Sequence, residues 1–125
     1  MPSSILRFIH ASDFHLERQM YGIADIPRHL RDALLDAPFV AVERVFAAAL
    51  AEDAEFVVLS GDILDVEEMG PRSLLFLIEQ FERLADRGIA VYWAPGRTDP
   101  PARWELATML PENVHRFTGK SRQFL

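Results

Sequence analysis

Short apolar runs alternate with segments of helical periodicity along this chain. Three of the runs are rich in branched or aromatic residues and have the length of buried parallel strands. A weaker fourth candidate follows them. The predicted strands are Ile5–Ile9, Phe56–Leu59, Ile89–Trp93 and Val114–Phe117. This alternation predicts an α/β domain with a parallel or mostly parallel sheet.

Two crossover helices are predicted between the first three strands. The first has apolar residues at helical spacing, and Pro38 is placed to begin it. The second begins at Pro71 and ends before Gly88, which stands where a left-handed cap is favoured. The periodic positions are Val42, Val45, Phe46, Ala49 and Leu50 in the first helix, and Leu74, Leu77, Ile78, Phe81 and Ala85 in the second. Two successive βαβ units are therefore expected.

Two other segments are less regular. Residues 17–37 have no clean period, and we predict a long loop there with a helical turn near His29–Leu35. A short helix is predicted over residues 102–110, where Pro111 would end it. Loops as long as the first are often functional in compact domains.

Composition narrows the classes of function. The chain has 125 residues and is 50% apolar, so a single domain, residues 1–125, can bury a core without disulfides. The absence of cysteine excludes thiol nucleophiles and zinc–thiolate sites, and it favours a cytoplasmic location. A net charge of −6 argues against autonomous DNA binding. We expect no membrane role, because no apolar run approaches the roughly 20 residues that span a bilayer.

A polar cluster follows each of the first three predicted strands. The clusters are Ser12–His15, Gly61–Asp65 and Gly96–Asp99. Because the carboxyl ends of neighbouring parallel strands form ligand-binding crevices, Asp13, His15 and Asp62 are expected to share one site. Alternate residues of an extended segment point the same way, which would let Asp13 and His15 reach one ion. Carboxylate and imidazole ligands suit manganese, iron or zinc.

Such a site would support phosphoester hydrolysis. If Asp62 bridged to a second ion about 3.5–4 Å away, the pair would hold a phosphate and activate a water for in-line attack. Taken singly, each cluster is better explained by turn or cap chemistry, above all at Asp65 and Asp99. The other histidines are interpreted as surface or packing residues: His10, His29 and His115.

The three clusters together resemble the calcineurin-like phosphoesterases, whose N-terminal motifs are Asp-x-His, Gly-Asp-x-x-Asp and Gly-Asn-His-Asp. Segments Phe8–Leu16 and Leu59–Asp65 are similar to the DNA-repair exonuclease branch, the SbcD/Mre11 type. The resemblance implies one half of a four-layer αββα sandwich. It further implies a metal-dependent phosphodiesterase acting on DNA, using Mn²⁺ or another divalent metal. Asp13 and His15 would then bind the first ion, and Asp62 would bridge both.

The third motif departs from that family. Arg97 stands where the family's metal-binding asparagine belongs, and Thr98 replaces its catalytic histidine. No catalytic residue is therefore intact, the second metal site is doubtful, and Asp65 and Asp99 are left as supporting residues. The family's later histidine ligands do not follow before Leu125, so we expect either a fragment of a longer protein or a natural remnant.

Three hypotheses follow for function. The first is a phosphoesterase that is inactive or impaired as this chain, and the second is a non-catalytic pseudo-phosphoesterase that serves in assembly. The third, a response-regulator receiver domain, requires an acidic pair after the first strand and a late lysine. Ser12, Asp13 and Lys120 fit that pattern poorly.

Two structural expectations remain open at this point. Half of a sandwich would leave one sheet face bare, to be covered by a homodimer, a swapped arrangement or a missing C-terminal region. Arg97 has two interpretations of equal weight. Its guanidinium either replaces the second ion through a salt bridge to Asp62, or it points into solvent.

Overall fold

A computed structural model of the protein describes residues 5–18, 25–100 and 109–117. Four strands and two helices form in these ranges. They are β1 (Phe8–Ala11), α1 (Arg28–Ala51), β2 (Phe56–Ser60), α2 (Pro71–Asp86), β3 (Ala90–Ala94) and β4 (Val114–Arg116). The sheet order is β1-β2-β3-β4, and every pairing is parallel. The predicted α/β class, with crossover helices and half of a sandwich, is confirmed.

Helix α2 is found where its pattern predicts it, but α1 is longer than predicted. It begins at Arg28, so the helical turn predicted near His29–Leu35 is confirmed but belongs to α1. Residues 28–37 are not a loop, and Pro38 lies inside the helix rather than at its start. Residues 28–37 are all exposed, including Leu30, Leu34 and Leu35, so this stretch adds no side chain to the buried core. The short helix predicted over residues 102–110 lies outside the described residues except at its end. In the described ranges, no helix combines the length and apolarity that crossing a membrane requires.

Both helices pack on one face of the sheet and form the core with it. Alternate residues of β2 and β3 point to this face and are buried: Val57, Leu59, Val91 and Trp93. They pack with Phe39, Val42, Phe46 and Ala49 from α1, and with Leu77, Phe81 and Leu84 from α2. The core therefore lies between the sheet and the two helices, and it holds the carboxyl ends of the strands in register.

The opposite sheet face carries a row of aromatic side chains. Phe8 stacks on Phe56 with ring centroids 5.1 Å apart, and Phe56 meets Tyr92 edge to face at 5.8 Å. Tyr92 stacks on His115 at 5.3 Å. Phe8 remains 51% exposed, and no helix in the described ranges covers this face. An aromatic sheet face without a helix from the described ranges is what the expected half of a sandwich would present.

Candidate metal centre

The candidate site lies where three loops leave the carboxyl ends of β1, β2 and β3. The loop after β1 runs beside the loop after β2 and continues the pairing of the two strands. The bonds are Asp13 N to Gly61 O (3.1 Å), His15 N to Asp62 O (3.0 Å) and Leu16 N to Ile63 O (3.2 Å), and Leu16 also bridges to Leu64. Since the loops are joined at each step, Asp13 and His15 are placed next to Asp62.

The backbone of the first loop is left-handed at alternate residues. The φ angle is 59° at Asp13, 44° at His15 and 61° at Glu17. The extended geometry from which we predicted the convergence of Asp13 and His15 is therefore wrong, although the two side chains do meet. Non-glycine residues in this region cost on the order of 1 kcal/mol or more each and are often found at functional sites.

Asp13, His15 and Asp62 form a cluster that fits a divalent ion. One ligand atom from each lies within 4.8 Å of the others. His15 Nε2 is 3.5 Å from Asp13 Oδ1, and His15 Nδ1 is buried without a hydrogen-bond partner among the described residues. Two carboxylates and an imidazole with an unsatisfied nitrogen are a donor set suited to manganese, iron or zinc. The structure thus brings together the three residues that the sequence singled out.

The third loop orients Asp62 through Thr98. Thr98 N donates to Asp62 Oδ1 at 3.0 Å, and Thr98 Oγ1 lies 3.1 Å from the same oxygen and 2.8 Å from Leu64 O. The backbone N–H of Thr98, more than any other group, lowers the pKa of Asp62, whereas partial burial opposes this effect. The carboxylate is therefore ionised at neutral pH, as a metal ligand must be. Thr98 thus fixes one oxygen of the carboxylate, and the backbone N–H of Arg97 adds to the lowering of its pKa.

Asp99 is fully buried and joins the third loop to the second. Its Oδ1 accepts from Asp62 N (3.0 Å) and Gly96 N (2.6 Å), and its Oδ2 accepts from Ile63 N (3.0 Å) and Trp93 Nε1 (3.0 Å). Four donors compensate a carboxylate that would otherwise be costly to bury. Because one of them is the amide of Asp62, this side chain positions the candidate ligand.

Two glycines let the second and third loops approach each other. A Cβ on Gly61 would lie 2.7 Å from Gly96 Cα, and a Cβ on Gly96 would lie 2.6 Å from Asp62 Oδ1. Real side chains essentially never make contacts this short. The close approach of backbone to backbone is therefore what places Thr98 and Asp99 within reach of Asp62.

Arg97 and Asp65 lie outside the cluster. Arg97 is exposed and forms no ion pair with Asp13, Asp62 or Asp99 in the described ranges, so the hypothesis that its guanidinium replaces the second ion is wrong. Thr98 holds Asp62 instead. Asp65 shapes the turn that follows, since its Oδ1 accepts from Glu67 N at 3.3 Å and its carbonyl accepts from Met69 N at 2.8 Å.

Sequence reasoning missed one residue of this region, Glu17. Its Oε2 accepts from Gly70 N at 3.0 Å, and its Oε1 accepts from Ser73 N at 2.6 Å and Ser73 Oγ at 2.8 Å. Glu17 therefore caps the first turn of α2 from the loop after β1. Sequence rules look for a cap beside the helix, whereas Glu17 is 53 residues before Gly70, so the pattern contained no signal for it.

Comparison with known proteins yields several relatives, although no family model matches. The chain is 37% identical over 120 residues to an uncharacterized metallophosphoesterase, YhaO, of Bacillus subtilis, an alignment covering 91% of this chain. It is 24% identical over 110 residues to the DNA double-strand break repair protein Mre11 of Saccharolobus solfataricus, covering 88% of the chain. The Mre11 of Aeropyrum pernix is 29% identical over 96 residues, covering 77%. These alignments cover 28%, 26% and 22% of the relatives, so the chain spans about a quarter of their length.

Proposed function

We propose that this chain, which belongs to the calcineurin-like metallophosphoesterases of the Mre11 type, supplies the first metal site of a phosphodiester-cleaving DNA-repair nuclease. The observation that carries the proposal is the convergence of Asp13, His15 and Asp62 within 4.8 Å. The site takes one divalent ion, and the resemblance points to Mn²⁺. When bound, such an ion polarises a phosphoryl oxygen and lowers the pKa of a bound water.

The residues around the cluster orient the ligands rather than react. Thr98 and Asp99 hold Asp62 through its carboxylate and its amide, so that this carboxylate has little freedom to rotate when it binds an ion. The left-handed loop holds His15 beside Asp13. A site that is ordered before the ion arrives binds it more tightly, because less conformational entropy is lost on binding.

Hydrolysis by this chain alone is expected to stay at background. Arg97 is exposed and cannot ligate a second ion, and the Thr98 hydroxyl is engaged by Asp62 and Leu64 O. Neither residue supplies the ligand or the proton donor that two-metal hydrolysis requires. We therefore propose an impaired or inactive phosphoesterase site that retains its first ion.

Manganese titration tests the proposal. Wild-type protein should bind one Mn²⁺ in calorimetry, and His15→Ala should weaken the affinity by about 100-fold or more, since even changes outside the ligand set typically cost about 10–100-fold. His29→Ala is the matched control, because His29 is an exposed histidine of α1 outside the cluster. Equal affinity in His15→Ala and wild type would contradict the site. Two tightly bound ions, or phosphodiester turnover abolished by Asp62→Asn, would contradict the single-ion assignment.

Assembly is a second candidate function, favoured by the exposed Phe8, which stacks on Phe56 on the sheet face opposite the two helices. Large contiguous apolar surfaces are uncommon on monomers and usually mark an interaction site. In this alternative the chain is a pseudo-phosphoesterase that keeps the fold in order to pack against a partner, either a second copy or further parts of a longer protein.

Sedimentation velocity tests self-association through this face. Phe8→Ser should raise the dimer dissociation constant by about 10-fold or more, because burying a phenylalanine contributes about 1.5–3 kcal/mol. Val40→Ser is the control, since Val40 is an apolar residue of α1 that is exposed to a similar degree. A wild-type chain that remains monomeric at high concentration would rule out the homodimer.

A further inference from the structure

We propose that Glu17 couples occupancy of the metal site to the first turn of helix α2, acting as a positioning residue for His15. The inference rests on the proposed metal site and adds a regulatory connection to it. Glu17 lies two residues after His15, and its carboxylate accepts three hydrogen bonds from Gly70 and Ser73. One side chain thus joins the metal-binding loop to a helix that supplies no metal ligand.

Helix α2 depends on Glu17 for its cap. Its N-cap residue, Gly70, has no side chain to accept a hydrogen bond, and its first turn contains no acidic residue. The first amides of a helix lack partners within the helix and attract negative charge. Glu17 supplies both an acceptor and a charge, and Ser73, which it contacts twice, is fully buried.

The space around the carboxylate is shaped to admit it. A Cβ on Gly70 would lie 2.9 Å from Glu17 Oε2, so a larger residue there would displace the carboxylate. Glu17 also lines a half-open pocket of about 590 Å³. The three hydrogen bonds to α2 therefore fix the orientation of the carboxylate.

The turn from His15 to Arg18 links the position of the His15 side chain to that of Glu17. Arg18 N donates to His15 O at 3.0 Å and closes the turn around Glu17, while Leu16 between them is completely buried. Both His15 and Glu17 have left-handed backbone, which is retained only if contacts hold it. An ion on His15 would steady the turn and hence the cap, and the cap would steady His15, since coupling between two sites is reciprocal.

Hydrogen–deuterium exchange and Mn²⁺ titration of the same proteins test this coupling. In wild type, Mn²⁺ should slow exchange in peptides covering residues 69–76, although no ligand lies there. In Glu17→Ala that region should exchange fast with or without Mn²⁺, and Mn²⁺ affinity should fall about 10-fold or more. Glu17→Gln keeps an acceptor oxygen and should therefore restore part of the slow exchange and part of the Mn²⁺ affinity. Glu43→Ala, an exposed glutamate of α1, should match wild type.

The outcomes separate this inference from the metal site itself. The coupling would be overturned if a folded Glu17→Ala protein bound Mn²⁺ with wild-type affinity. It would also be overturned if Mn²⁺ did not change hydrogen–deuterium exchange in α2 of the wild type. Neither result would contradict the metal site. A wild type that binds no Mn²⁺ would overturn both. If Glu17→Ala does not fold, Ser73→Ala removes only the hydroxyl that donates to Glu17 Oε1. It should weaken Mn²⁺ binding a few-fold, and unchanged binding would overturn the inference.

Discussion

Replacing Asp99 by alanine is expected to lower the free energy of unfolding by at least about 3 kcal/mol. The carboxylate is fully buried and accepts four hydrogen bonds, from the amides of Asp62, Ile63 and Gly96 and from the Trp93 indole. A buried donor left without an acceptor costs about 1–3 kcal/mol, and water entering the vacated space would recover only part of the total. The same change frees the amide of Asp62 and should weaken Mn²⁺ binding.

Urea unfolding measures the effect. Asp99→Asn should be nearly as destabilising, because the amide keeps one acceptor oxygen and turns its NH₂ group toward N–H donors. Asp86→Ala is the control at the exposed end of α2 and should change stability by less than about 0.5 kcal/mol. A loss below about 1 kcal/mol in Asp99→Ala would show that these four bonds do not hold the two loops together.

Gly61→Ala is the second substitution for which we expect a large effect. Gly61 has φ +85°, and its added Cβ would lie 2.7 Å from Gly96 Cα and 2.9 Å from Gly96 N. Both neighbours are backbone atoms that cannot rotate away, so the loops after β2 and β3 must separate. The left-handed conformation costs about 1–2 kcal/mol for a residue with a Cβ, and overpacking adds about 1–3 kcal/mol. Separation of the loops should also abolish Mn²⁺ binding at Asp62.

Gly88→Ala provides the matched control. Gly88 also has positive φ, +70°, but a Cβ there meets nothing within 4 Å. It should therefore show only the conformational cost of about 1–2 kcal/mol and leave Mn²⁺ binding unchanged. The difference in unfolding free energy between the two variants measures the contact between the loops. Equal losses of unfolding free energy in Gly61→Ala and Gly88→Ala would mean that the contact between the loops contributes nothing to stability.

The fold was predictable wherever burial imposes a pattern. Helix α2 runs from Pro71 to Asp86 because its apolar positions recur on one face and Gly88 follows its end. Only a helical turn near His29–Leu35 was predicted in the first half of α1, where residues 28–37 are exposed, and Pro38 was taken as a helix start although it lies within the helix. The leucines of this stretch, Leu30, Leu34 and Leu35, are exposed, so packing in the core does not enforce a pattern there.

The candidate site was predictable in its members but not in its geometry. Asp13, His15 and Asp62 were expected together because parallel strands bring their carboxyl ends to one edge, and the structure does place them together. The extended geometry assumed for Asp13 and His15 was wrong, since both have left-handed backbone. For Arg97, the interpretation that agrees with the structure is the exposed side chain rather than the salt bridge.

The sequence by itself determined the α/β class, the family and the three groups that meet at the strand ends, because hydrophobic periodicity and motif spacing are local properties of the chain. Only the tertiary structure decided how those groups are held. Glu17 caps a helix 53 residues away, Asp99 reaches the loop after β2, and Thr98 occupies one oxygen of Asp62. Each of these contacts joins loops that are distant in sequence, and such loops meet only after the sheet has aligned the strands that carry them.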